Sequence, residues 1–156
     1  MNKRILTVLL AVVLSVTGII SMNLNVRAAA ESEDIDMSCI MTGEALIGYS
    51  QSQSWGVYYS DGYSIINKIS STKVGAGGAT NAAKRCTVSI TSILERKNSS
   101  GSWERVTSWS QNQNALCAMI SKSVTVPSGY YYRVRSNHYA SSDTASSCTN
   151  ALWVGN

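Results

Sequence analysis

Phenylalanine is absent from this 156-residue chain, proline and histidine occur once each, and charged residues make up only 14%. Each shortage excludes something. Without Phe, every aromatic position falls to Tyr or Trp, eight of the former and four of the latter. The lone histidine, His138, is ten residues from the nearest cysteine, and no C-x-x-C pair exists, which argues against zinc. Past the N-terminal segment no stretch sustains a 3.6-residue apolar period, which argues against a helical core. No G-x-S-x-G elbow marks a nucleophile turn. Gly75-Ala-Gly-Gly-Ala-Thr80 is Gly-rich but lacks the Lys-Ser/Thr ending of a phosphate loop. No catalytic residue, cofactor or metal is expected.

What is present begins at the N-terminus. Lys3 and Arg4 precede an apolar run from Ile5 to Ile20, and Ala28-Ala29-Ala30 supplies small residues ahead of Glu31. A charged start, an apolar middle and an A-x-A exit form the pattern of a secretory signal peptide. The run falls short of the roughly 20 apolar residues a spanning helix needs, and Cys39 lies too far downstream for a lipoprotein signal. The expectation is a signal helix over 1–30, cleaved after Ala28 or Ala30, and a secreted mature chain.

The expected remainder divides into an acidic tail and N-terminal segment over 31–61 and a β domain over 62–156. Glu31, Glu33, Asp34 and Asp36 crowd the tail, whereas ten basic side chains face five acidic ones from Met37 onward. A mildly basic surface suits anionic wall polymers or lipids, beside the plain alternative of ordinary solvation. No nucleic-acid partner is expected. Cys39, Cys86, Cys117 and Cys148 form an even set, which in an exported chain predicts two disulfides.

Strand patterning dominates the β domain. Cys86, Val88, Ile90 and Leu94 share one face and Thr87, Ser89, Thr91 and Glu95 the other, with Ser92 a polar interruption inside. Lys97-Asn-Ser-Ser-Gly101 is turn chemistry, leading to a strand from Trp103 to Ser110. Further strands are predicted from Ala115 to Val126, with a bulge near Ile120–Lys122, from Tyr130 to Tyr139, and from Cys148 to Val154. Gly62–Val74 should hold one or two more, broken at Gly75–Gly78. This spacing predicts an antiparallel sandwich or barrel. If the five strands from Cys86 form a meander, Cys86, Cys117 and Cys148 should share one end of the domain.

Val126-Pro-Ser-Gly129-Tyr-Tyr-Tyr132-Arg-Val134 resembles the tyrosine corner of fibronectin type III and immunoglobulin-like sandwiches. The resemblance implies a β-sandwich in which the Tyr132 hydroxyl bonds back to upstream backbone. On a larger scale, the ordered set Val88-x-Ile90, Leu94-x-Arg96, Gly101-Ser-Trp103, Ser108-Trp109, Val126 to Arg135, His138 and Ala151-Leu-Trp153-Val154 resembles a family of small uncharacterised secreted proteins, a domain of unknown function of Gram-positive bacteria. That likeness implies no catalytic or binding residue.

Chemistry-bearing residues remain sparse. His138, Asp143 and a surrounding serine invite a triad, yet a triad is defined by geometry and serines abound. Glu44, Asp61, Glu95, Glu104 and Asp143 are the only candidates for a glycosidase pair, and Glu95 and Glu104 should instead meet Arg96 and Arg105 across a hairpin. The aromatics say more. With Tyr132 inward, Tyr131, Arg133, Arg135 and Tyr139 point outward as a candidate binding strip. Two functions follow as expectations: a secreted non-enzymatic sandwich module that binds a cell-surface glycan or protein, or a secreted antagonist of bacteriocin-like or membrane-active type.

Overall fold

A computed structural model describes residues 45–52 and 56–156. The expected leader, the acidic tail and Cys39 lie outside the described residues. Within them are eight strands and no helix: β1 (Ala45–Tyr49), β2 (Gln51–Ser52), β3 (Tyr59–Ser70), β4 (Lys73–Lys97), β5 (Trp103–Thr125), β6 (Tyr130–Ala140), β7 (Asp143–Cys148) and β8 (Leu152–Val154). All pairings are antiparallel and belong to one sheet.

The long hairpin β4–β5 organises the sheet. β5 follows β4 along its whole length, while the other edge of β4 is shared: β3 pairs its first half and β6 its second. At the changeover the register slips, so that Asn81 faces Cys117 but Cys86 already faces Ala115. The extra β4 residues form a bulge, which bends and twists a hairpin locally. The sheet then curls until it is nearly barrel-shaped. The N-terminal segment spans the remaining gap, because β1 pairs β3 and β2, one residue later, pairs β7. Gly48 permits that approach: a Cβ there would lie 1.9 Å from the Cys148 carbonyl oxygen.

Several local expectations hold. The hairpin tip is an Asn turn in which Asn98 Oδ1 accepts from the Ser100 and Ser102 amides, and Gly101 takes φ 83°. Along β4, Val88, Ile90, Ser92 and Leu94 point inward; along β6, Tyr132, Val134, Ser136 and His138 do. Tyr132 is fully buried and its hydroxyl donates to the Pro127 carbonyl at 2.7 Å, the bond a tyrosine corner requires.

Other expectations are corrected. The strands are not a meander, since β6 lies beside β4 rather than β5. The bulge falls opposite Leu116, not at Ile120–Lys122. Gly75–Gly78 does not break a strand. It runs through β4 with β3 on one side and β5 on the other, which satisfy its backbone groups. The last long strand is β7, in the stretch that separates the strands predicted at Tyr130–Tyr139 and Cys148–Val154. Its inward residues are Asp143, Ala145 and Ser147, small or polar side chains that carry no apolar alternation.

Inside, successive rows differ in character. Ile66, Val74, Leu94, Tyr132, Val134 and Val154 form an apolar cluster. The next row along β4, β6 and β7 is Ser92, Ser136 and Ser147, followed by Ile90, His138 and Ala145.

Candidate functional site

With the inward set fixed, the odd-numbered residues of β6 must face out. Tyr131, Arg133, Arg135 and Tyr139 therefore share one outer face, with Asn137 among them, as the alternation predicts. Tyr131 and Tyr139 are 46% and 40% exposed. Neighbouring strands extend the face into rows. Ser89 and Thr144 flank Tyr139, Thr91 and Ser146 flank Asn137, and Ile93 and Cys148 flank Arg135.

The two arginines are not free cations. Glu95, buried on the same face, accepts from Arg133 Nε at 2.7 Å and from Arg135 Nη2 at 3.1 Å. The expected Glu95–Arg105 ion pair is therefore replaced, although the two backbones are in register. Glu95 instead reaches across to β6, where two guanidinium groups compensate its burial. The other expected pair, Arg96 with Glu104, does form, with Arg96 Nε donating at 2.9 Å. The Arg133 guanidinium also lies 4.2 Å from the Trp103 ring centroid, and Arg96 lies 4.7 Å from that of Tyr130. Such stacking fixes the long arginine side chains in place.

A shallow depression lies at each end of the strip. The larger, about 480 Å³, is lined by Ser89, Thr91, Asn137, His138, Tyr139, Thr144, Ala145 and Ser146. It offers hydroxyls, an amide and one ring. The smaller, about 250 Å³, is lined by Lys97, Asn98, Ser99, Gly129, Tyr130, Tyr131 and Trp153. Tyr131 and Trp153 pack there with ring centroids 5.0 Å apart. Three contacts hold the β8 end. Val154 accepts from the Gly129 amide, Lys68 Nζ donates to the Gly155 carbonyl, and the Trp153 ring lies against Gly155.

The histidine lies on the other side of the sheet. His138 Nδ1 meets Thr80 Oγ1 at 2.8 Å and Nε2 meets Ser147 Oγ at 2.7 Å. Ser147 also contacts Ser64, and Ser136 links Ser64 to Ser92. Burial drives the His138 pKa down to about 4, with Asp61 acting weakly the other way. A histidine–serine contact exists, with His138 2% and Ser147 5% exposed. Asp143, the third member the triad needs, is engaged elsewhere: its Oδ2 accepts from the Tyr58 and Tyr59 amides. Residue spacing gave no hint of this serine network, because its members come from β3, β4, β6 and β7.

The described cysteines do not assemble. Among the described residues, Cys86, Cys117 and Cys148 form no disulfide. Cys86 packs inward beside Val88 and Ile90, whereas Cys117 precedes inward Ala118 and lies on the other face, in register with Asn81. Cys148 pairs with Arg135 in the Ile93 row, about 23 Å along β4 from Cys86. The meander that would have gathered the three is absent. Burial pushes the Cys117 thiol up, away from the thiolate a nucleophile needs.

No protein-family model matches the chain, and no curated protein or solved structure matches it either.

Proposed function

We propose that this chain is a secreted, non-enzymatic β module that binds a cell-surface glycan or protein along the outer strip of β6. The observation carrying the reading is that Tyr131, Arg133, Arg135 and Tyr139 share one outer face with a depression at either end. Stacked, ion-paired side chains make a stiff surface that loses little conformational entropy on binding. Half-exposed Tyr and Trp rings supply flat apolar area with polar tips. Export rests on the leader pattern at 1–30, and in its finer description the fold is read as two layers of a sandwich that share the bent β4–β5 hairpin.

The antagonist reading draws on the length of that hairpin, but a membrane-active hairpin needs an apolar outer face. Ser108, Ser110, Asn112 and Asn114 of β5 are all exposed. Pull-down on purified bacterial cell walls, run beside liposome leakage, separates the two. The binding module should sediment with walls and leave vesicles intact. Combined Tyr131→Ala, Arg135→Ala and Tyr139→Ala substitutions should abolish sedimentation without loss of fold. Leakage, or wall binding indifferent to those substitutions, would overturn the reading.

A further inference from the structure

We infer that the smaller depression is a subsite for a sugar ring bearing a negative charge, so that the ligand of the strip is an acidic glycan held in a fixed direction. The inference rests on the binding reading above and narrows it to one chemical class.

Lys97 pairs Trp103 across the hairpin, and Tyr131 pairs Trp153. On the β6 side the ladder runs to Arg96 opposite Tyr132, so Lys97 comes opposite Tyr131 one step further. Trp103, Lys97, Tyr131 and Trp153 thus form a single row across β5, β4, β6 and β8. At about 4.8 Å per strand the row is about 14 Å long. Three rings and one ammonium therefore occupy a band as long as a short oligosaccharide. Tyr131 and Trp153 are each nearly half exposed, and their rings, tilted 60° to one another, both line the depression.

Charge selects the class of sugar. Residues 45–156 hold ten Lys and Arg against four Asp and Glu. All four acids are occupied: Glu95 by Arg133 and Arg135, Glu104 by Arg96, Asp143 by the Tyr58 and Tyr59 amides, and Asp61 by Asn81 and Ser60. Among the described residues, the Lys97 ammonium has no hydrogen-bond or ion-pair partner. It sits at the lip of the depression beside Asn98 and Ser99. A cation left free next to exposed rings favours a ligand that offers both an apolar ring face and an anion.

The rest of the strip argues against a polyanion such as single-stranded nucleic acid, which also stacks on aromatics. That ligand needs a continuous cationic groove to follow its phosphates. Here Glu95 neutralises much of the Arg133–Arg135 pair, and the larger depression at the far end is lined by neutral hydroxyls and an amide. The pattern is sparse charge at one end and hydroxyl recognition at the other. It matches a glycan with acidic and neutral rings.

The test uses an oligosaccharide of uronic acids, the same oligosaccharide after carboxyl reduction, and a single-stranded oligonucleotide, each titrated calorimetrically against the mature chain. The acidic sugar should bind about tenfold more tightly than its reduced form, equivalent to about 1.4 kcal/mol. Lys97→Gln should bring the two sugars to equal affinity, and Tyr131→Ala should weaken both. Lys97 and Tyr131 are exposed, and the comparison of two ligands on the unaltered chain needs no variant. Equal affinity for both sugars would overturn the acidic subsite while leaving glycan binding intact. Binding to neither sugar would overturn the subsite and the glycan form of the broader reading together. Tighter binding of the oligonucleotide would overturn the sparse-charge argument.

Discussion

Two adjoining stretches of the interior are built on the same strands and differ in chemistry. Towards the hairpin tip, β4 and β6 contribute Leu94, Val134 and Tyr132 to a packed apolar cluster. One row away the same strands contribute Ser92 and Ser136, then His138, and β7 adds Ser147. The apolar stretch gains stability from area removed from water, a non-directional term. The polar stretch is tolerable only because its hydroxyls and both ring nitrogens find partners, and each of those bonds depends on register. The contrast teaches that one stretch secures stability and the other secures alignment: β3, β4, β6 and β7 must all be in place before the serine chain closes.

The largest effect should come from breaking the apolar side. Leu94 is fully buried, and Leu94→Ala removes three carbons from a site closed on all sides. A loss of about 2–5 kcal/mol is expected. Ser92→Ala, two residues earlier, removes one hydroxyl from a chain in which Ser136 keeps Ser64 as a partner. Its loss should be about 1 kcal/mol. Urea denaturation of both variants measures the ratio. A Ser92→Ala loss as large as that of Leu94→Ala would mean that the polar row is the main source of stability.

The second effect sharpens the contrast through pH. His138 is held neutral by burial, with its pKa lowered from 6.5 to about 4. A group whose folded pKa lies below its unfolded value binds protons preferentially when unfolded. Its contribution is whole above about pH 6.5, declines as pH falls through the window to about 4, and is flat below. The decline amounts to roughly 3 kcal/mol. Asp143, whose carboxyl the Tyr59 and Tyr58 amides hold below its ordinary range, adds a separate loss at lower pH. Thermal unfolding at a series of pH values should show the slope between 6.5 and 4 in the parent chain and not in His138→Gln. An unchanged slope in that variant would assign the acid sensitivity to other groups.

The apolar side was the legible one. Alternation gives the inward sets of Cys86–Arg96 and of Tyr132–Tyr139, because large apolar residues at period two admit one orientation against water, whereas Tyr130, of the same parity, is exposed at the start of β6. The Asn98–Gly101 turn was legible because its residues suit that backbone. Alternation names a face and not a neighbour, however, so it leaves the pairing of β6 with β4 open, and with it the gathering of cysteines that a meander implies. Asp143, Ala145 and Ser147 hid β7 because the interior there is polar. Parity alone marks the outer strip. Hairpin register suggests Arg105 as the partner of Glu95, and only the β6 register reveals the alternative.

The smallest effect lies at the corner, where inner and outer faces meet in consecutive residues. Tyr132 is fully buried, and its hydroxyl donates to the carbonyl of Pro127, itself in an exposed turn. Tyr132→Phe keeps the ring and its packing and removes that one bond. Water can reach the freed carbonyl, so the expected loss is about 0.5–1.5 kcal/mol, the net value of a single hydrogen bond and not that of a stranded buried group. Tyr131→Phe removes a hydroxyl from a half-exposed ring and should leave stability unchanged within about 0.5 kcal/mol. Paired denaturation curves decide the matter. A clear loss for Tyr132→Phe alone fits a corner that locks the turn entering β6 and an outer ring that is free to serve a ligand. Equal losses would mean that Tyr131 is also held by the fold, and the strip would lose its leading aromatic.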